Sequence, residues 1–240
     1  SIVSKRTNRS KYIQCRKENV KKYAVVLLRI RNYLGSNASI ERAVPVITNG
    51  ETSSKAHSYV TRPYRYKGKF FLRKTMDPFL RMLSCYDYGK IFSFGKCFRN
   101  EYITSTKQSE FEMLSIFSNY QEEEEAIKLA LSIIEKIIPQ TDAEVRYYDH
   151  SDYKRNSEEL SIDVIRNLPN ETNSYASITE DGTMKEFKIK IKGITVVHGL
   201  MEIKNHEEYL SKIEDQGKSE NYGELEELEK ALQYGAPPCY

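Results

Sequence analysis

No cysteine pair in this chain has the spacing of a metal or redox site. Cys15, Cys85, Cys97 and Cys239 lie far apart and form no CxxC, so they read as reduced structural thiols rather than ligands or redox groups. His57, His150, His198 and His206 make neither an HxxxH nor an HExxH pattern, and no structural zinc is expected. No apolar run approaches the roughly 20 residues of a membrane span. No signal peptide opens the chain, so cytoplasmic residence without a membrane partner is the default expectation. Internal repeats are absent, and the only low-complexity tracts are short glutamate runs. What remains is 240 residues, 39% hydrophobic and 30% charged, enough for one globular domain with a sizeable core.

Acid and base are unevenly spread. The net charge is +3, yet Ser1–Tyr33 holds ten Lys/Arg against Glu18, and Glu202–Lys230 holds ten acids against four lysines. A basic amino end attracts nucleic acid. It is equally a solvated helix face, or a partner for the acidic carboxyl end.

Periodicity divides the chain into elements. Val20, Tyr23/Ala24, Leu27, Ile30 and Leu34 make a helical stripe over Arg16–Leu34, which Gly35 is expected to end. Ser39–Ile47 reads as extended, stopped by Asn49-Gly50. Asp77-Pro78 opens a short helix over Thr75–Cys85, because proline suits a first turn. Glu122–Ile138 is a helix whose acidic start complements the dipole. Its buried stripe is Ile127, Ala130/Leu131, Ile134 and Ile137/Ile138, and Pro139 stops it. The polar stretch 142–182 is expected to be an insertion over the site, with a helix at Ser157–Asn167. Phe187–Val197 reads as two strands around Gly193, and helices follow at Glu207–Glu214 and Tyr222–Tyr234.

The densest chemistry lies in Lys69–Gln121. The run IFSFGKCF ends on Phe98-Arg99-Asn100-Glu101, a polar loop follows, and a second strand opens on Glu110-Phe111. Arginine and glutamate two residues apart on one strand project from the same face. A fixed cation beside an acceptor suits the phosphate and base of a nucleotide. The plainer reading of Arg99 and Glu101 is a surface ion pair.

This stretch resembles motif 2 of the class II aminoacyl-tRNA synthetases, in the lysyl/aspartyl/asparaginyl subgroup and nearest in character to lysyl-type stand-alone proteins. Leu72-Arg73, Asp77 and Leu80 upstream match it as well. The helix and strand over 16–47, with Pro45, resemble motif 1, which implies a homodimer through those residues. The implied fold is α+β, an antiparallel class II sheet flanked by helices, in a single domain over 1–240. The implied activity is ATP-dependent activation of an amino acid to an aminoacyl-adenylate, then transfer to an acceptor: tRNA, protein or small molecule.

By the same resemblance, Arg99 bridges the α-phosphate and the amino-acid carboxylate, since its planar fork bonds both bidentately. Glu101 accepts from the adenine amino group, Phe111 stacks on the ring, and Lys107 reaches the terminal phosphates. Asp77 pairs with the substrate ammonium and Glu202 with its side chain. Ser115 and Phe117 replace a glutamate and a tyrosine of lysine recognition; core packing is the other reading for Phe117.

Two departures stand out. The family's Mg2+ carboxylates, seven residues apart, align with Lys188 and Thr195. The end, Tyr234-Gly235-Ala236-Pro237-Pro238, resembles only the lead-in to motif 3. The anticodon-reading barrel that precedes motif 1 in the family is not expected here. A catalytically inactive dimeric paralog, acting as a binding or regulatory module, is therefore the alternative expectation.

Overall fold

The amino-terminal helix runs further than its apolar stripe predicts: α1 spans Ile2–Ser36. The computed structural model describes residues 2–51, 56–65, 67–104, 107–138, 143–155, 160–170, 175–215, 225–233 and 235–240, without the side chains of 2–14, 213–215, 225–227 and 229. Only the last part of the α1 stripe is covered. Ile30 and Leu34 are buried against Phe92 and Ile133, Leu27 is half-buried, and Val20 and Tyr23 are exposed. Gly35 does not end the helix. The chain turns at Ala38, whose φ of 56° supplies the left-handed conformation.

The extended reading of Ser39–Ile47 resolves into β1 (Ser39–Glu41) and β2 (Ile47–Thr48). β2 joins β3 (Val60–Thr61) and β4 (Phe70–Leu72) in a small antiparallel sheet. β1 runs parallel to β5 (Lys90–Phe98), which pairs antiparallel with β6 (Glu110–Ser118) from Lys90↔Ser118 to Phe98↔Glu110. Alternation along β5 separates two faces. Ile91 and Cys97 join Phe117, Met76 and Leu80 beside α2 (Asp77–Ser84). Phe92 packs on the opposite side with α1 and α3 (Glu123–Ile137).

The glutamate run starts α3 as expected. The Glu125 carboxylate accepts the Glu122 N–H at 3.1 Å, closing the first turn. Ile127, Ala130 and Ile134 face the core as expected, joined by Ile133; Ile137 and Ile138 are exposed instead. Pro139 lies outside the described residues.

The stretch 142–182 holds a correction. It contributes β7 (Glu144–Asp149) and β8 (Ser161–Arg166), parallel to each other. Within the expected helix Ser157–Asn167, residues 157–159 lie outside the described set, and the rest is the inner strand β8. Ser161 to Ile165 are all buried. Burial on both faces removes the alternation that marks a strand in sequence, while β-branched Ile162, Val164 and Ile165 favour one.

β9 (Glu186–Ile191) and β10 (Ile194–Leu200) form the expected hairpin. Lys192 and Gly193 both have positive φ, 50° and 71°, as a two-residue primed turn requires. The larger sheet runs β10-β9-β8-β7. α4 (His206–Asp215) and α5 (Leu225–Gln233) match the last two expected helices; residues 222–224 and 234 are outside the described set.

Cys239 and Tyr240 join the sheets. Ser118 and Tyr240 exchange backbone hydrogen bonds of 2.5 and 3.1 Å, and Cys239 O accepts the Glu202 N–H at 2.9 Å. Tyr240, Phe187 and Met201 then continue the face buried under α3. The fold is α+β as expected, largely antiparallel, with β1–β5 and β7–β8 as parallel pairs. Among the described residues no helix is long and apolar enough to cross a membrane.

Candidate functional site

Opposite α1 and α3, the joined sheets expose their other face, and the predicted site residues fall mostly there. Arg99 follows β5 on the same side as Cys97, and its backbone N–H donates to Ser109 O at 2.8 Å, one step beyond the ladder. Phe111 is the register partner of Cys97. The guanidinium carbon of Arg99 lies 5.0 Å from the Phe111 ring centroid, a cation–π distance. Among the described residues the buried Arg99 Nε has no hydrogen-bond acceptor, a donor whose satisfaction calls for an incoming acceptor.

Glu101 is not beside Arg99 on a strand. β5 ends at Phe98, and Asn100 gives its N–H to His57 O at 2.9 Å rather than to β6. Without pleating, the two-residue rule for faces no longer applies. Glu101 and Lys107 both lie exposed in the loop, where Lys107 N–H donates to Thr104 Oγ1 at 3.1 Å. Residues 105–106 of this loop are outside the described set.

Asp77 and Ser115 meet. Ser115 Oγ donates to Asp77 Oδ1 at 2.9 Å, and Thr75 Oγ1 donates to Oδ2 at 2.5 Å. Asp77 and Arg99 both act electrostatically on the buried Cys97 thiol, so they flank one point on the sheet. Glu202, beside Cys239 and Ala176, lies within electrostatic range of Asp77. Burial pushes its carboxyl up to about 7; Arg81 opposes this and the Asp77 charge adds to it. Arg81 is itself buried, with Nη2 on Ile203 O at 3.1 Å. Phe117 is a core residue: it is buried among Val44, Leu80, Ile91 and Cys239, so of its two readings packing is the one realised.

One group escaped the sequence reading. Lys74 is buried, with Nζ 3.1 Å from Glu51 Oε1 and 3.0 Å from Ala56 O. Burial lowers its pKa, Glu51 opposes that, and the Arg99 charge lowers it further. Its only sequence signal is adjacency to Arg73. Arg73 is buried too, donating to Lys96 O at 2.8 Å and Val44 O at 2.6 Å, which fastens β5 to the segment after β1.

The positions implied for Mg2+ do not fit that ion. Lys188 Nζ lies 3.3 Å from Glu186 Oε1, which also meets His198 Nε2 at 2.6 Å, and Thr195 is an exposed hydroxyl. Magnesium asks for oxygen ligands in near-octahedral array, whereas this cluster offers one carboxylate already facing two nitrogen groups.

Comparison with known proteins identifies the family. The family model described as tRNA synthetases class II (D, K and N) matches residues 4–171. An aspartate--tRNA(Asp/Asn) ligase of Campylobacter concisus is 26% identical over 203 residues, covering 78% of this chain and 34% of that protein. An aspartate--tRNA ligase of Clostridium botulinum is 26% identical over 132 residues, covering 53% of this chain and 22% of that protein. The chain thus spans about a third or less of the length of these relatives. With motif-bearing strands, α+β architecture and a matched region covering most of its length, the chain belongs to the class II tRNA synthetases of the D, K and N group.

Proposed function

We propose that this domain binds ATP and an amino acid on the open face of its sheet and joins them as an aminoacyl-adenylate for transfer to an acceptor. The observation that carries this reading is Arg99, held above Phe111 with a buried Nε unsatisfied among the described residues. Attack of a carboxylate on the α-phosphate brings two anions together, and a pre-placed guanidinium lowers that cost. The pyrophosphate group leaves, and the adenylate carries the activated carboxyl. Glu101 and Lys107 sit on the loop that would close over the nucleotide. Asp77, fixed by Ser115 and Thr75, would hold the substrate ammonium.

The named relatives act with aspartate. Here Asp77 and Glu202 place two carboxyl groups beside Arg81, and an aspartate side chain would meet Asp77 as a like charge. A neutral or cationic amino acid suits it better. The acceptor is tRNA, protein or small molecule, and cytoplasmic residence goes with this reading. The exposed Val20 and Tyr23, at i and i+3 on one side of α1, supply apolar contacts for a homodimer through 16–47.

ATP–pyrophosphate exchange across the standard amino acids tests the activity. Exchange with at least one amino acid other than aspartate is expected. Absence of exchange with every amino acid, in protein that folds normally, favours the second reading, a non-catalytic binding or regulatory module. Lys188 and Thr195 at the expected metal positions are the observation on its side.

A further inference from the structure

Beyond Asp77 and Glu202 the open face continues onto β9 and β10. Register partners of an antiparallel pair project to the same side, so Glu186, Lys188 and Lys190 share a face with Leu200, His198 and Thr195. A bulge between Thr195 and Val197 keeps Thr195 and His198 on that side although they are three positions apart. Phe187 and Ile189, between these residues, fill the core under α3, which directs Glu186, Lys188 and Lys190 away from it. Cys239 and Phe117 lie on this open side while Tyr240 and Phe187 lie on the closed one. Lys188 and Ser115 are therefore on one surface. Between β6 and β9 come the Cys239–Tyr240 segment and β10, three strand spacings or roughly 14 Å.

Glu186 orders this cluster. It is 4% exposed, and its Oε1 lies 2.6 Å from His198 Nε2 and 3.3 Å from Lys188 Nζ. The Lys188 and His198 side chains keep 29% and 46% of their surface in solvent. An ammonium carries three N–H donors, and one contact with Glu186 leaves others for a ligand. Lys190 Nζ, next along the face, lies 4.6 Å from the centre of the Tyr153 ring. A buried carboxylate thus holds a lysine and an imidazole at the position that the resemblance aligns with the family's metal carboxylates.

We propose that Lys188, oriented by Glu186 and assisted by His198, binds the β- and γ-phosphates of the nucleotide directly, so that ATP binding here needs no divalent cation. The inference rests on the nucleotide reading above and gives it a specific chemistry. A magnesium ion neutralises a triphosphate through oxygen coordination. A fixed ammonium supplies one charge and several hydrogen bonds to the same oxygens. Lysine is a point-charge phosphate binder and needs no bidentate geometry.

Calorimetric titration with ATP and with AMP tests this, in EDTA and in excess Mg2+, on the unmodified chain and on Lys188→Met. ATP affinity of the unmodified chain in EDTA is expected within about threefold of that in Mg2+. Lys188→Met should weaken ATP by roughly tenfold, the worth of one charge-assisted hydrogen bond, and leave AMP unchanged. ATP binding that disappears in EDTA overturns the inference and leaves the nucleotide reading standing. Absence of ATP binding in both buffers removes both. Equal loss of ATP and AMP in Lys188→Met marks the Glu186–Lys188 pair as structural and also overturns it. Should that variant not fold, the EDTA comparison on the unmodified chain still decides, with His198→Gln as the second substitution, expected to weaken ATP more than AMP.

Discussion

Ser115 donates its hydroxyl to Asp77 Oδ1 at 2.9 Å, tying the middle of β6 to the first turn of α2. Thr75 occupies the other carboxylate oxygen. Both oxygens are oriented by uncharged donors. Asp77→Asn should raise KM for the activated amino acid by about ten- to a hundredfold, the range for a hydrogen bond to a charged group. ATP affinity should stay within about twofold. Pyrophosphate exchange with varied amino acid and varied ATP separates the two. A matching loss in both would show that the substitution disturbs α2 rather than a substrate contact.

Arg99 makes a testable contrast between stability and binding. Its side chain meets the Phe111 ring and leaves Nε without an acceptor among the described residues, so the folded protein gains little from it. Arg99→Ala should shift Tm by no more than about 2 °C while weakening ATP roughly tenfold or more. Arg99→Lys should recover only part, because an ammonium lacks the planar fork. Melting curves and ATP titration on the same samples check this. A large fall in Tm with unchanged ATP affinity would sink the assignment.

Glu202 should make stability depend on pH. Its folded pKa of about 7 lies above the ordinary 4.5, so the folded state binds the extra proton between those values. The stabilising contribution is complete below 4.5 and is lost as pH rises through 7. At one pKa unit per 1.36 kcal/mol the loss is at most about 3 kcal/mol. Urea unfolding at pH 5 and pH 8 should show the decline, and Glu202→Gln should flatten it. An equal slope in the variant would mean that other groups carry the effect.

Two glycines should respond with opposite signs. A Cβ at Gly95 would stand 2.0 Å from Arg73 Nη2 and 3.1 Å from Met76 Sδ. Gly95→Ala must therefore displace the guanidinium that holds Val44 O and Lys96 O, at about 1–3 kcal/mol. Gly35 lies in the last turn of α1 with nothing within 4 Å of a built Cβ. Gly35→Ala should stabilise by up to about 1 kcal/mol through helix propensity. Denaturant midpoints measure both, and a neutral Gly95→Ala would mean that Arg73 has another place to go.

Local patterns read well here. The β5–β6 hairpin, α2 with its Asp77-Pro78 start, α3 with its acidic first turn and the Gly193 hairpin follow from periodicity and turn chemistry, which neighbouring residues settle among themselves. The resemblance carried Arg99, Phe111, Asp77, Ser115 and Glu202 onto one face. Lys74 stayed hidden, because nothing in its flanking residues announces burial.

Amino-acid order by itself determined the family, the α+β class and the motif that holds Arg99 and Phe111. Tertiary structure alone decided that β8 is an inner strand, that Phe117 is core and that Glu101 leaves the ladder. It also decided that the Cys239–Tyr240 segment unites two sheets, so that Lys188 and Ser115 share a surface. The reason is physical. Burial on both faces, strand pairing and charge coupling are set by which distant segments come to lie beside a residue, and those neighbours are not its neighbours in the chain.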